Sequence, residues 1–301
     1  MLAQIPFPEI SPEIFTLPLA GMEFSLRWYA LAYIVGIIIA WRVSIRAVSR
    51  PALWTGAAPL TKPELEDLLT WIILGIILGG RLGFVLFYEP AYYLAHPAQI
   101  LKLWQGGMAF HGGFLGVVIA AWIWCARAGV SKIAAADTIA LGVPWGLMLG
   151  RIANFINAEL WGRPTDVPWA MTFPTMCRNT VLQGCEKLGD WFYTGAEVAR
   201  HPSQLYQAAL EGALLGLLLL FLAFSRGALK TRGLITGVFI AGYGTARFIV
   251  EHFRQADAQF VTPENPFGHV VLGITMGQLL SLPMVLAGVL IILWARRNRP
   301  A

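Results

Sequence analysis

Charged side chains are scarce in this chain of 301 residues: Lys, Arg, Asp and Glu make up 13% of it, against 57% hydrophobic residues. An ordinary soluble domain devotes about a quarter of its residues to charge, so this composition excludes water as the main solvent and points to lipid. Cysteine is scarce as well. Of the three, Cys125 falls in an apolar block, whereas Cys177 and Cys185 share one long polar loop and would pair only if that loop faces an oxidising compartment. The five histidines, His96, His111, His201, His252 and His269, are scattered without a cysteine or carboxylate framework. Such spacing does not resemble a zinc site, and neither a metal nor a cofactor is expected. The opening MLAQIPFPEISPEIF has no basic n-region, so no cleavable signal peptide is predicted and the first apolar block belongs to the mature protein. The net charge of +5 does not indicate nucleic acid, because the basic residues form short runs between apolar blocks and no stripe.

What the chain does have is a series of apolar blocks, at 24–41, 68–88, 107–126, 133–157, 205–224, 234–253 and 271–295. Each approaches or exceeds the length of about 20 residues that crosses hydrocarbon. The expected fold is all-α, a single domain over residues 1–301 of about seven transmembrane helices. The connections alternate in charge. Arg42, Arg46, Arg50 and Lys62 follow the first block, Arg127 and Lys132 the third, Arg226, Lys230 and Arg232 the fifth, and Arg296, Arg297 and Arg299 the last. The other connections carry Glu89, Glu159, Asp166, Glu186, Asp190, Glu197, Asp257 and Glu264. The positive-inside rule then places the N-terminus outside and the C-terminus inside. Residues 90–105 read as an interfacial arm on the outer surface, and 158–203 as an outer head loop.

An arginine near the middle of a span costs about 2.5–3.5 kcal/mol on insertion scales, so each one asks for a partner or a function. In YGTARFIVEHFR, Tyr243, Arg247, Glu251 and Arg254 recur at helical steps and share one face. Arg247 and Glu251 would also be a neutral buried pair, but two arginines against one glutamate leave positive charge over. In GRIANFINAELWGR, Arg151, Asn154 and Asn157 lie on a slowly turning face, with Glu159 and Gly162 beyond the helix end. Asparagines in a span also glue helices together; beside an arginine they read as a cleft for a polar headgroup. His111 in GGMAFHGGFLG is flanked by glycines that permit close approach, and alone it reads as a polar core residue. Tyr29 and Tyr33 near the start of the first span fit interfacial anchors, and Arg81 is equally ambiguous. With the predicted topology, Tyr29, His111, Arg151 and Arg247 all fall in the outer half of the bilayer. A transporter or flippase would also gather charge in its spans, but repeated halves are not apparent. An intramembrane protease would need a nucleophilic serine or paired aspartates, and no obvious one stands within the spans.

Four stretches in order, HGGFLG, GRIANFINAELWGRPTD, HPSQLYQAALEG and YGTARFIVEHFRQAD, resemble the prolipoprotein diacylglyceryl transferases of bacteria, and the resemblance covers essentially the whole chain. It implies an enzyme of the bacterial inner membrane with its active site toward the periplasm. The implied reaction is the first step of lipoprotein maturation: transfer of the diacylglyceryl group of phosphatidylglycerol to the lipobox cysteine of a prolipoprotein signal peptide, giving a thioether and releasing glycerol 1-phosphate. By the same resemblance Arg151 and Arg247 contact the phosphate. Asn154, Gly162, Tyr29 and His111 are further functional positions, and Glu159, Tyr243, Glu251 and Arg254 support them. Asn157 joins the substrate-binding set through its spacing from Arg151. His111, inside an apolar block at the outer level, is the candidate base for the thiol.

Overall fold

The computed structural model describes residues 5–8, 10–19, 22–174, 186–188, 191–193, 195 and 197–298. Cys177, Cys185, their pairing, Asp190 and Arg299 lie outside the described residues. Ten α-helices carry the architecture: α1 (Trp28–Val48), α2 (Lys62–Phe87), α3 (Pro90–Ala95), α4 (Phe110–Ala128), α5 (Lys132–Ala140), α6 (Val143–Ile156), α7 (Ser203–Gln207), α8 (Leu215–Ser225), α9 (Leu234–Val250) and α10 (Met276–Arg297). A π-helical segment, Ala208–Leu214, fuses α7 to α8 into one rod. Among the described residues five helices, counting that rod as one, are long and apolar enough to cross a membrane. The pair α5 and α6, bent by 41°, would make a sixth. The helix α9 is shorter, at 17 residues. Each predicted apolar block coincides with one of these units.

The helix ends follow local chemistry. Thr61 and Thr275 each accept the backbone N–H three residues on while Glu64 and Gln278 reach back, so α2 and α10 both open on a capping box. Gly129 closes α4 in the left-handed conformation that glycine adopts freely. Three predicted starts move inward, that of the last span to Met276 because His269–Val271 and Ile274–Thr275 pair as strands. The first span begins at Trp28, because Met22–Arg27 is extended and pairs with Glu13–Leu19 as the hairpin β3–β2. The third begins at Phe110, because Gly106 and Gly107 take φ of 85° and 77° and break the helix.

The remaining strands are short: β1 (Ile5–Pro6), β4 (Met171–Thr172), β5 (Glu186–Leu188), β6 (Trp191–Tyr193), β7 (Ala199–Arg200), β8 (His269–Val271) and β9 (Ile274–Thr275). The sheet order β1-β4-β7 ties the N-terminal segment to the connection after α6. This cap covers the end where α1, α4, α7 and α10 begin and α2, α6 and α9 finish. Arg81, ambiguous in the sequence, is buried there and has a local task. Its guanidinium donates to the carbonyls of Gln99, Ile100, Gly106 and Gly107 at 2.6–3.1 Å, fastening residues 90–107 onto α2.

Packing in the bundle relies on backbone approach, since side chains facing lipid gain little by leaving it. Leu74, Leu78, Leu82 and Leu86 form an exposed row along α2, a surface suited to acyl chains and hazardous in water. On another face of α2, Gly75, Gly79 and Gly83 meet Gly112 and Gly116 of α4. A Cβ on Gly79 would lie 2.8 Å from the Gly116 Cα and closer still to the Gly112 carbonyl. Gly79→Leu is expected to separate α2 from α4, at an overpacking cost of about 1–3 kcal/mol. Thermal unfolding in detergent should show a clearly lowered midpoint. Gly146→Ala, where no atom lies within 4 Å of the added Cβ, should unfold like the parent.

Candidate functional site

A charged cluster forms where α6, the π-helical segment and α9 meet. The close approach comes from Gly212, whose missing Cβ would lie 2.7 Å from the Met148 Cα of α6. That contact sets Glu211, at 0% exposure, between two arginines. Its carboxylate lies 3.6 Å from Arg151 Nε and 4.0 Å from Arg247 Nη1. It also accepts a hydrogen bond from Gln207 Nε2 at 3.2 Å. The wider turn of a π-helix aligns residues four apart, and such segments collect at functional sites. Glu211 was not among the sequence candidates, although a lone carboxylate inside an apolar block was visible in HPSQLYQAALEG.

The second carboxylate is Glu251, paired with Arg247 Nη2 at 3.0 Å and Arg254 Nη1 at 3.8 Å. It accepts a hydrogen bond from Thr275 Oγ1, the N-cap of α10, so a helix amino end also faces it. Gly277 makes room: a Cβ there would stand 2.5 Å from the Glu251 carboxyl carbon. Arg254 reaches outward to Asp257 at 3.6 Å. The predicted stripe Arg247–Glu251–Arg254 is therefore one connected ion network, extended through Glu211 to Arg151. Tyr243 joins it as a neighbour of both Arg151 and Glu211.

Beyond the end of α6, Glu159 accepts from Asn154 at 2.8 Å and Asn157 at 3.2 Å, while Arg151 Nη1 donates to Asn154 Oδ1 at 3.5 Å. The asparagines thus hold Glu159 inward. Gln204 Nε2 donates to the Glu159 carbonyl at 2.7 Å and draws α7 into the same knot. Gly162 lies outside this cluster as a packing point. It bridges to Arg254 and donates its N–H to the His201 carbonyl, and a Cβ would lie 2.5 Å from both the His201 and Phe253 carbonyls. It positions Arg254 through the backbone. Arg163 adds to that placement by donating to the Arg254 carbonyl at 2.9 Å. Tyr29 meets Tyr33, their hydroxyls 3.5 Å apart, and Tyr33 in turn stands within electrostatic reach of Arg151.

His111 stands elsewhere. It is exposed on the first turn of α4, edge-on to Phe110, and among the described residues no hydrogen bond or ion pair links it to the arginines. His201 is nearer the network through Gly162. Burial pushes its ring below the ordinary histidine range, and its Nδ1 lies 3.1 Å from the Tyr206 hydroxyl. A shallow groove lined by Arg42, Arg46 and Arg50 lies at the opposite end of α1 from Tyr29. Among the described residues no cluster of His, Cys, Asp and Glu is arranged to hold a metal ion.

The network balances its charges without saturating its donors. Arg247 Nη1 and Arg254 Nε are buried and have no hydrogen-bond partner among the described residues, and the approach of Arg247 to Glu251 at 3.0 Å lacks hydrogen-bond alignment. Such arginines are held in place with N–H groups left for an anion.

The family model described as Prolipoprotein diacylglyceryl transferase matches residues 16–294. Among similar proteins, one from Ruegeria pomeroyi is 61% identical over 98% of this chain and 99% of its own length. One from Roseobacter denitrificans is 56% identical over 98% and 99%, and one from Methylocella silvestris 46% identical over 98% and 97%. All three are named phosphatidylglycerol–prolipoprotein diacylglyceryl transferase.

Glu211→Ala removes the anion that both arginines share and leaves buried positive charge, a change worth about 3–5 kcal/mol. A large fall in the thermal midpoint is expected in detergent, with a smaller fall for Glu211→Gln, which keeps an oxygen for Gln207. Parent-like unfolding of Glu211→Ala would show that the carboxylate does not organise the cluster.

Proposed function

The chain belongs to the prolipoprotein diacylglyceryl transferase family, and we propose that its arginine network holds the phosphate of phosphatidylglycerol while the diacylglyceryl group passes to a lipobox cysteine. The product is a thioether on the prolipoprotein and the leaving group is glycerol 1-phosphate, the first step of lipoprotein maturation. The observation that carries this reading is the pair of buried, unpartnered donors, Arg247 Nη1 and Arg254 Nε, inside a charge-balanced network.

The reaction displaces oxygen by sulfur at a glyceryl carbon. The thiolate forms the C–S bond, and the C–O bond breaks with its electron pair going to the phosphate oxygen. A monoanionic diester becomes a phosphomonoester carrying more charge. Donors fixed beforehand stabilise that growing charge more than they stabilise the diester, and this difference lowers the barrier. Arg151 and Arg247 take the phosphate in this account. Tyr243 and Asn154 hold Arg151, while Glu251 holds Arg247 and Arg254 in turn anchors Glu251. Glu159, Asn157 and Gly162 fix the loop behind them, and Tyr29 lines the approach past Tyr33. Arginine suits the task because its planar fork donates twice and stays charged when desolvated.

A thiol has a pKa of about 8.5, so transfer at neutral pH gains from a base. His111 takes that role here: its exposed position on α4 lets a substrate helix bring the thiol to it from the lipid side. The orientation that suits this chemistry has seven spans, the N-terminus outside and the cluster toward the periplasm of the bacterial inner membrane. Its support is the basic set at the far end of the bundle, where Arg50 lies over Phe224, Arg127 over Trp71 and Lys132 over Trp122.

Incubating the purified protein with phosphatidylglycerol and a lipobox cysteine peptide should add the mass of a diacylglyceryl group to the peptide. Arg247→Lys and Arg151→Ala are expected to abolish that gain while still inserting into membranes. Normal turnover in either variant rules out the phosphate assignment, and lipid movement across vesicles without peptide modification favours a flippase. His111→Asn should slow transfer by roughly 10²–10⁴-fold at pH 7. Much of that loss should return near pH 9, where the thiol ionises unaided. An equal loss at both pH values shows that His111 is not the base.

A further inference from the structure

The cluster holds unpartnered acceptors as well as unpartnered donors. Gln204 and Gln207 are both at 0% exposure, yet the amide oxygen of each has no hydrogen-bond partner among the described residues. Buried polar atoms are nearly always satisfied, and leaving one unsatisfied is costly. The orientation of each amide follows from its surroundings. Gln204 Nε2 faces the Glu159 carbonyl at 2.7 Å and Gln207 Nε2 faces the Glu211 carboxylate at 3.2 Å. Turning either amide over would set oxygen against oxygen, so the carbonyl is the free end in both. The two residues are three apart on α7 and share a face. Each is one hydrogen bond from a residue of the network, and Gln207 is one step from both arginines through Glu211.

The free donors are cationic; Glu211 Oε2 and Glu251 Oε2 also lack a hydrogen bond, but each faces an arginine in an ion pair, so the two glutamine amide oxygens are neutral acceptors with no charged partner. A ligand that satisfies both carries an anionic acceptor with uncharged hydrogen-bond donors a few bonds away, as in a phosphate ester of a polyol. An ammonium headgroup also donates, but it would bring positive charge beside the arginines. We propose that Gln204 and Gln207 accept hydrogen bonds from the hydroxyls of the donor lipid's glycerol headgroup, and that they set the preference for a glycerol-bearing donor. This rests on the reading that Arg151 and Arg247 take the donor phosphate. In that arrangement the glutamines hold the leaving group by its far end while the arginines hold its phosphate.

The test compares phosphatidylglycerol with a synthetic donor whose headgroup lacks one hydroxyl, phosphatidylpropanediol, using the full-length protein in detergent and a cysteine peptide. The readout is the ratio of kcat/KM for the two donors. The parent should favour phosphatidylglycerol by about tenfold to a hundredfold, the usual effect of one hydrogen bond to a buried polar group. In whichever of Gln204→Leu and Gln207→Met removes the partner of the hydroxyl that the synthetic donor lacks, the ratio should fall to within about twofold, through loss on phosphatidylglycerol alone. The ratio is insensitive to a general drop in activity, and Gln204→Leu leaves the hydrogen bond to Glu211 intact. A parent that does not discriminate, or variants that keep the parent's ratio, overturn the proposal while the phosphate site stands. A parent that transfers from neither donor overturns the phosphate reading itself.

Discussion

Glu211 places a carboxylate at 0% exposure between the guanidinium groups of Arg151 and Arg247, 3.6 and 4.0 Å away. At such separations the attraction is about 4 kcal/mol per pair at an effective dielectric constant of about 20. Desolvation offsets much of it. What the arrangement secures is position: α6 and α9 each deliver an arginine, and the π-helical segment between them delivers the anion that keeps both from repelling. Gly212 against Met148 and Gly277 against Glu251 are where the backbone yields space for this network. The two arginines, 20% and 16% exposed, are charged in a place where water is scarce.

The membrane class was legible because a period and a composition carry it. Blocks of apolar residues at the length of a bilayer appear as helices, and the Arg247, Glu251, Arg254 stripe appears as an ion network. The starts of the first, third and last spans were not legible. An alternating stretch such as Met22–Arg27 becomes a strand only because Glu13–Leu19 pairs with it, and glycines at Gly106 and Gly107 break a helix only in their own context. Glu211 was hidden for a different reason. Its partners lie on two other helices, and no spacing within HPSQLYQAALEG reveals a contact made across space. Arg81 was ambiguous for the same reason, since the carbonyls it holds are distant in the chain.

The residues singled out from the sequence divide by what they touch. Arg151, Arg247, Glu251, Arg254 and Tyr243 share one electrostatic neighbourhood, with Asn154, Asn157 and Glu159 hydrogen-bonded along its edge. Gly162 acts through backbone packing. His111 stands apart, exposed on the first turn of α4. That separation suits a reaction with two substrates, in which lipid phosphate and peptide thiol approach from different directions and meet at one carbon.

The most direct measurement is a structure of the protein with phosphatidylglycerol bound. The account predicts the phosphorus between Arg151 and Arg247, with a phosphate oxygen at a charge-assisted distance of about 2.7–2.9 Å from Arg247 Nη1. A lipid phosphate seated instead at Arg81, Arg163 or the groove of Arg42 and Arg46, with the Arg151–Glu211–Arg247 network unchanged and empty of phosphate, would contradict it.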